Sequence, residues 1–134
     1  GYPRSEYYLP QRDDGTLRAF YRQRMHADVL RWPGLQDLTA SVDFTALAEA
    51  GAGAGFDFTG YCSQASFLLG NRLQENLTLA ESRAKDDVAR HNLRQQAKVL
   101  TLPSEMGERF QAMDFQRGVE FGAAFLVGDL SHRL

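Results

Sequence analysis

Residues with chemical reach are few and scattered in this 134-residue chain. Near its start Glu6 is followed by Tyr7 and Tyr8, one carboxylate beside two phenols. Such a set either orients a polar ligand through hydrogen bonds or forms a packed surface loop whose tyrosines cover a sheet edge. His26 precedes Asp28 at a spacing that permits an imidazole–carboxylate contact, beside the reading of a structural histidine. Asp43 stands before Phe44–Ala50 as a helix cap, with substrate contact as the other reading. Gln64 falls in the first turn of a short helix just after a strand, where its amide either holds a ligand or ties a loop. Hydrolytic and metal chemistry find no support. Ser63 lacks a His and Asp arrangement, His91 and His132 have no companions at ligand spacing, and Cys62 is the sole cysteine.

The elements that must position these residues are legible in part. Residues 1–15 are punctuated by Pro3, Pro10 and Asp13-Asp14-Gly15 and read as loop. Thr16–Arg22 alternates, with Leu17, Ala19 and Tyr21 opposite Arg18, Phe20 and Arg22, which predicts a strand with one wetter face. Residues 23–40 show little periodicity and are expected to be irregular. Asp43 then caps a helix over Phe44–Ala50, with Val42 and Leu47 at staple positions and Gly51 ending it. Phe56–Tyr61 predicts a strand, and Ser63 caps a short helix closed by Gly70. Residues 72–100 are helix-rich, with Leu73, Leu77, Ala80, Ala84 and Val88 at three- and four-residue steps. The polar run from Glu81 to Asp87 interrupts them, and 74–90 is a candidate mobile segment. Pro103 stops the helix. Phe110–Gln116 and Val119–Val127 are expected to be terminal antiparallel strands joined at Gly118. Strands and helices alternate, which predicts an α/β layer over a single domain, 1–134.

Gly51-Ala52-Gly53-Ala54-Gly55 superficially matches a nucleotide-binding loop. Those loops leave a strand and open a helix, so that backbone amides and the helix N-terminus meet the ligand. Here the run leaves a helix and enters a strand, so it is read as a C-cap and connector.

Composition narrows the classes further. Hydrophobic content of 43% with 24% charged residues is that of a globular chain, and the net charge of −2 argues against a dedicated nucleic-acid binder. Among 15 basic residues all but Lys85 and Lys98 are arginine, spread along the chain. No apolar run approaches the ~20 residues of a membrane span, and no signal peptide is visible. The chain opens on Gly1-Tyr2-Pro3 without an initiator Met and reads as a fragment or processed product.

Several runs together resemble one family. They are Gly1-Tyr2-Pro3-Arg4, Glu6-Tyr7-Tyr8, Pro10-Gln11-Arg12, Gly15-Thr16-Leu17, and Tyr21-Arg22 with Arg24 and His26. Next come Pro33-Gly34-Leu35-Gln36-Asp37-Leu38-Thr39 and Val42-Asp43-Phe44-Thr45. Gly60, Ser63-Gln64-Ala65, Phe67-Leu68 and Pro103-Ser104-Glu105-Met106-Gly107-Glu108-Arg109-Phe110 complete the set. In this order they resemble the MidA-like methyltransferases, whose eukaryotic members are mitochondrial protein arginine methyltransferases for complex I assembly. The resemblance implies the C-terminal portion of a Rossmann-like methyltransferase fold, a mixed sheet with terminal antiparallel strands and flanking helices. It implies S-adenosylmethionine as cofactor and a protein, through arginine, as substrate. The family's glycine loop, its acidic ribose ligand and the Asp-Tyr pair ahead of the first matched glycine have no counterpart here. The isolated chain is therefore expected to bind the cofactor weakly or not at all and to be inactive. Expected partners are the missing N-terminal half and, through exposed strand edges, further copies of the chain; neither nucleic acid nor membrane is expected. Glu6, Tyr7 and Tyr8 fall just after a central strand, where α/β folds place ligands. A bacterial cytoplasm is the expected location, or the mitochondrial matrix for a eukaryotic source. The competing class is a non-catalytic α/β protein-interaction module.

Overall fold

Arg22 and Gln23 reverse the chain between two short strands, and around that turn the first part of the molecule is built. The computed structural model describes residues 1–120 and 122–134. The chain divides into two units, Gly1–Leu47 and Ala48–Leu134. In the first, β1 (Arg18–Tyr21) lies between β2 (Arg24–His26) and β3 (Asp37–Thr39), antiparallel to both. Ala19 is buried while Phe20 stays 37% exposed, in line with the alternation around β1. Residues 23–40 were expected to be irregular and instead supply β2 and β3. Each is only three residues long, too short for a period of two to register. The turn between β1 and β2 also lacks the glycine or asparagine that announces a hairpin.

Before β1, a single helical turn, α1 (Arg4–Tyr7), precedes a 3-10 turn at Pro10–Arg12. The next helix, α2 (Phe44–Gly53), begins in the first unit and ends in the second. Its first turn is fastened by Asp43, whose Oδ1 accepts from the Ala46 amide at 2.9 Å. It runs two residues beyond the expected stop at Gly51. Gly51 stays helical, and a Cβ there would overlap the Phe115 ring. Gly55, at φ +79°, then takes the left-handed conformation that a side chain would oppose. The run thus leads from helix to strand, as its order predicted.

The second unit centres on an antiparallel pair, β4 (Asp57–Ser63) and β5 (Gln111–Gln116). A register shift between Phe58 and Gly60 leaves Thr59 as the extra residue, and its hydroxyl donates to Asp114 at 2.5 Å. Three helices occupy the excursion between these strands: α3 (Gln64–Gly70), α4 (Leu73–Ser82) and α5 (Asp87–Thr101). Ser63 caps α3 by accepting from the Ser66 amide at 3.2 Å, and Asp86 caps α5 by accepting from Ala89 at 2.7 Å. The Arg94 guanidinium grips the Glu81 carboxylate through Nε and Nη2, at 2.8 and 2.9 Å, tying α5 to the end of α4. The apolar period holds at Leu73, Leu77 and Ala80 but resets at the break, since Val88 is 68% exposed and Leu93, Ala97 and Leu100 take the more covered positions.

Val119–Val127 was expected to pair with the preceding strand. It does not; β5 pairs with β4, and Gly122–Phe125 forms a 3-10 turn, with Phe121 outside the described residues. Gly118 sits at φ +71°, and the stretch Gly122-Ala123-Ala124 carries no β-branched residue to favour a pleated strand. The turn instead delivers Phe125, 6% exposed, onto Gly60, where a Cβ would overlap the ring. Phe67 meets the same ring at 5.4 Å. Strands and helices in this order make the chain α/β.

Candidate functional site

The N-terminal loop is held by backbone bonds rather than by its candidate side chains. Tyr2 bridges to Asp43 in parallel: the Tyr2 amide donates to Val42 at 2.8 Å and the Phe44 amide to Tyr2 at 3.0 Å. The Arg4 amide donates to the Thr45 hydroxyl at 2.9 Å. These bonds bring α1 to the first turn of α2, so Glu6, Tyr7, Tyr8 and Asp43 belong to one stitched segment. The Tyr7 hydroxyl lies 3.0 Å from that of Thr16, which also accepts from the Ser41 amide at 3.1 Å. The Arg12 guanidinium lies 3.7 Å from the Tyr2 ring centroid and donates to the Glu6 carbonyl. Tyr8 meets Tyr7 edge-on at 5.0 Å and is 70% exposed, a phenol presented outward. Asp43 spends one oxygen on its cap.

His26 lies elsewhere in the same unit, on β2, in a cleft of about 680 Å³ lined by Tyr21, Arg22, Arg24, Met25, Arg31 and Trp32. Trp32 packs against Tyr21 at a tilt of 37° with centroids 4.3 Å apart, and receives His26 edge-on at 5.5 Å. Arg31 lies over the indole at 4.4 Å. The spacing to Asp28 produces no contact: both His26 ring nitrogens are buried without a hydrogen-bond partner among the described residues. Leaving both nitrogens unpartnered costs roughly 1–3 kcal/mol per group, and their burial closes them to the cleft in this conformation. Sequence reading missed Trp32 and Arg31. The only signal was one tryptophan in a region rich in arginine.

Gln64 belongs to the second unit and is occupied with structure. Its side-chain nitrogen donates to the Leu100 carbonyl and its amide to Phe110, each at 2.9 Å, fixing α3 against the end of α5 and the start of β5. A second hollow of about 450 Å³ is bounded by Phe67, Gln111, Met113, Asp114 and Phe125. Cys62 is fully buried, and burial, then the nearby Asp129 charge, push its thiol pKa up despite an opposing backbone hydrogen bond at Phe67. The resulting neutral thiol has no access to a ligand.

An adenosyl cofactor needs a strand that ends in a glycine-rich turn at a helix N-terminus. Among the described residues the one glycine run has the opposite order, helix to strand, so the residues present do not fit the whole group. No helix of the described residues is long and apolar enough to cross a membrane.

Residues 1–62 match the profile of the family described as "Putative S-adenosyl-L-methionine-dependent methyltransferase". The rat mitochondrial protein arginine methyltransferase NDUFAF7 is 37% identical over 95 residues, which cover 71% of this chain and 21% of the rat protein. A crystal structure from Burkholderia thailandensis aligns over 100% of this chain with 43% identity and a TM-score of 0.88. A second from that organism, bound to S-adenosyl-homocysteine, aligns equally far with 44% identity and a TM-score of 0.83. The chain spans 36% and 34% of those two solved chains. With the whole length superimposing on these structures and the N-terminal runs matching the family profile, the chain belongs to the MidA-like S-adenosylmethionine-dependent methyltransferases.

Proposed function

We propose that the protein containing this chain transfers a methyl group from S-adenosylmethionine to an arginine side chain of a protein substrate. The reading is carried by the 44% identity, across the entire chain, to a protein bound to S-adenosyl-homocysteine, the demethylated form of that cofactor. Arginine as acceptor is supported by the rat relative, which is named for that activity. The cradle for the cofactor is assigned to residues outside this chain. Reaction in a bacterial cytoplasm, or in the mitochondrial matrix for a eukaryotic source, goes with this reading.

Transfer to nitrogen asks the protein mainly to align the acceptor and accommodate one proton. A guanidinium is planar and donor-rich, so it is oriented by carboxylate, amide or phenol oxygens. The segment Glu6-Tyr7-Tyr8 offers all but the amide: Tyr7 is fixed through Thr16, and Tyr8 projects outward. We assign this segment to the lining of the substrate or cofactor pocket. Asp43 holds the neighbouring helix start, which keeps that lining in place.

The test is transfer of labelled methyl from S-adenosylmethionine to arginine-containing peptides by the complete protein. Incorporation on arginine is expected, lowered tenfold or more by Glu6→Gln or Tyr8→Ala at unchanged melting temperature. Label on lysine or carboxyl groups would remove the arginine assignment. Calorimetric titration of the isolated chain is expected to give weak or no cofactor binding, and tight binding would overturn the division of labour proposed.

A further inference from the structure

The cleft beside β2 holds three guanidinium groups and no acid to neutralise them. Arg22, Arg24 and Arg31 make no ion pair among the described residues. Two of them lie over aromatic rings, Arg22 at 5.3 Å from the Tyr21 centroid and Arg31 at 4.4 Å from Trp32. Arginine held this way keeps its planar donors free for carboxylates. β2 is also an edge strand. The Tyr21↔Arg24 pair closes the two-residue turn, so the alternation of an antiparallel ladder turns the Met25 amide and carbonyl away from β1. Met25 is 62% exposed.

We propose that this cleft binds an extended, carboxylate-rich peptide segment of a protein partner, which adds as a strand along β2 and sets its acidic side chains on Arg22, Arg24 and Arg31. Strand addition supplies main-chain hydrogen bonds, and the charges supply selectivity. The lining contains neither a glycine nor a helix N-terminus, the devices that gather amides around a phosphate. The positive groups sit instead on a turn, a strand and a loop, which suits several spaced carboxylates better than one compact anion. The hairpin that presents these groups is held in a costly conformation, with Arg22 at φ 47° and Gln23 at φ 64°. The proposed binding does not depend on methyl transfer.

Trp32 is the only tryptophan in the chain, so its fluorescence reports on this cleft alone. The full chain is titrated with an alternating glutamate–valine hexapeptide, with its lysine–valine counterpart, and with inorganic phosphate at matched ionic strength. Saturable change is expected with the acidic peptide only, and half-saturation should rise at least tenfold in the Arg24→Glu, Arg31→Glu double variant. Methylating alternate backbone nitrogens of the peptide should raise it as far with the unaltered chain, a comparison that requires no variant to fold. Absence of a saturable signal, an equal response to phosphate or to the lysine peptide, or a midpoint unmoved by peptide methylation would overturn the proposal.

Discussion

Gly107 shows what a single residue contributes through the side chain it lacks. It is buried between α5 and β5; its amide donates to Leu102 at 3.0 Å and its carbonyl accepts from Ala65 at 3.0 Å. A Cβ would overlap the Thr101 carbonyl and approach that of Leu102. Because the obstacle is backbone, Gly107→Ala should cost roughly 1–3 kcal/mol, read from urea unfolding, and an unchanged midpoint would refute the packing described. Asp129 contributes through charge. Its carboxyl pKa lies below the ordinary range, chiefly because the Ser131 hydroxyl donates to it, with the Ser131 and Tyr61 amides adding smaller effects. A folded-state pKa below the unfolded value means that the unfolded chain takes up the proton first as pH falls. The stabilisation is therefore full above the unfolded carboxyl pKa and disappears as pH drops through the folded one. The melting temperatures of wild type and Asp129→Asn should differ at neutral pH and converge on acidification.

Helix starts were readable because a cap is a local contact between a side chain and a nearby amide. Asp43 and Ser63 were identified on that basis, and both accept the bond their position implies. The hairpin of β1 and β2 was not readable, since its turn has two left-handed residues of which neither is glycine, asparagine or aspartate. Each such residue costs roughly 1–2 kcal/mol. Replacing Arg22-Gln23 by Asn-Gly should raise the unfolding free energy by a comparable amount while weakening the proposed peptide binding. Stability that fell with the exchange would contradict the turn geometry. The cleft itself escaped sequence reading because Trp32 reaches Tyr21 and His26 through folding of the loop, not through any fixed spacing. The stretch after Gly118 misled for a different reason: an apolar run reports burial, and only Phe125 of its described residues is buried.

At the scale of the whole chain the limiting quantity is core. Among the described residues of the first unit only Pro3 and Ala19 are buried, and in the second the buried large side chains are Tyr61 and Phe125. Leu30 and Leu126 stand 80% and 81% exposed. Apolar area of this kind is favourable to cover, at roughly 25 cal/mol per Å², and short strand edges add unpaired amides. We expect the isolated chain to self-associate, with a scattering mass that rises with concentration. A strict monomer across the accessible range would count against that expectation.

The excursion between β4 and β5 has an evolutionary corollary. Thr59 and Asp114 touch although 55 positions separate them, and the intervening helical arm turns at the exposed Arg83, Lys85 and Asp86. Lengthening a surface connection costs little, about 0.6 kcal/mol for each doubling. Descendants of one ancestor can thus carry arms of different reach while the paired strands at its base keep their alignment.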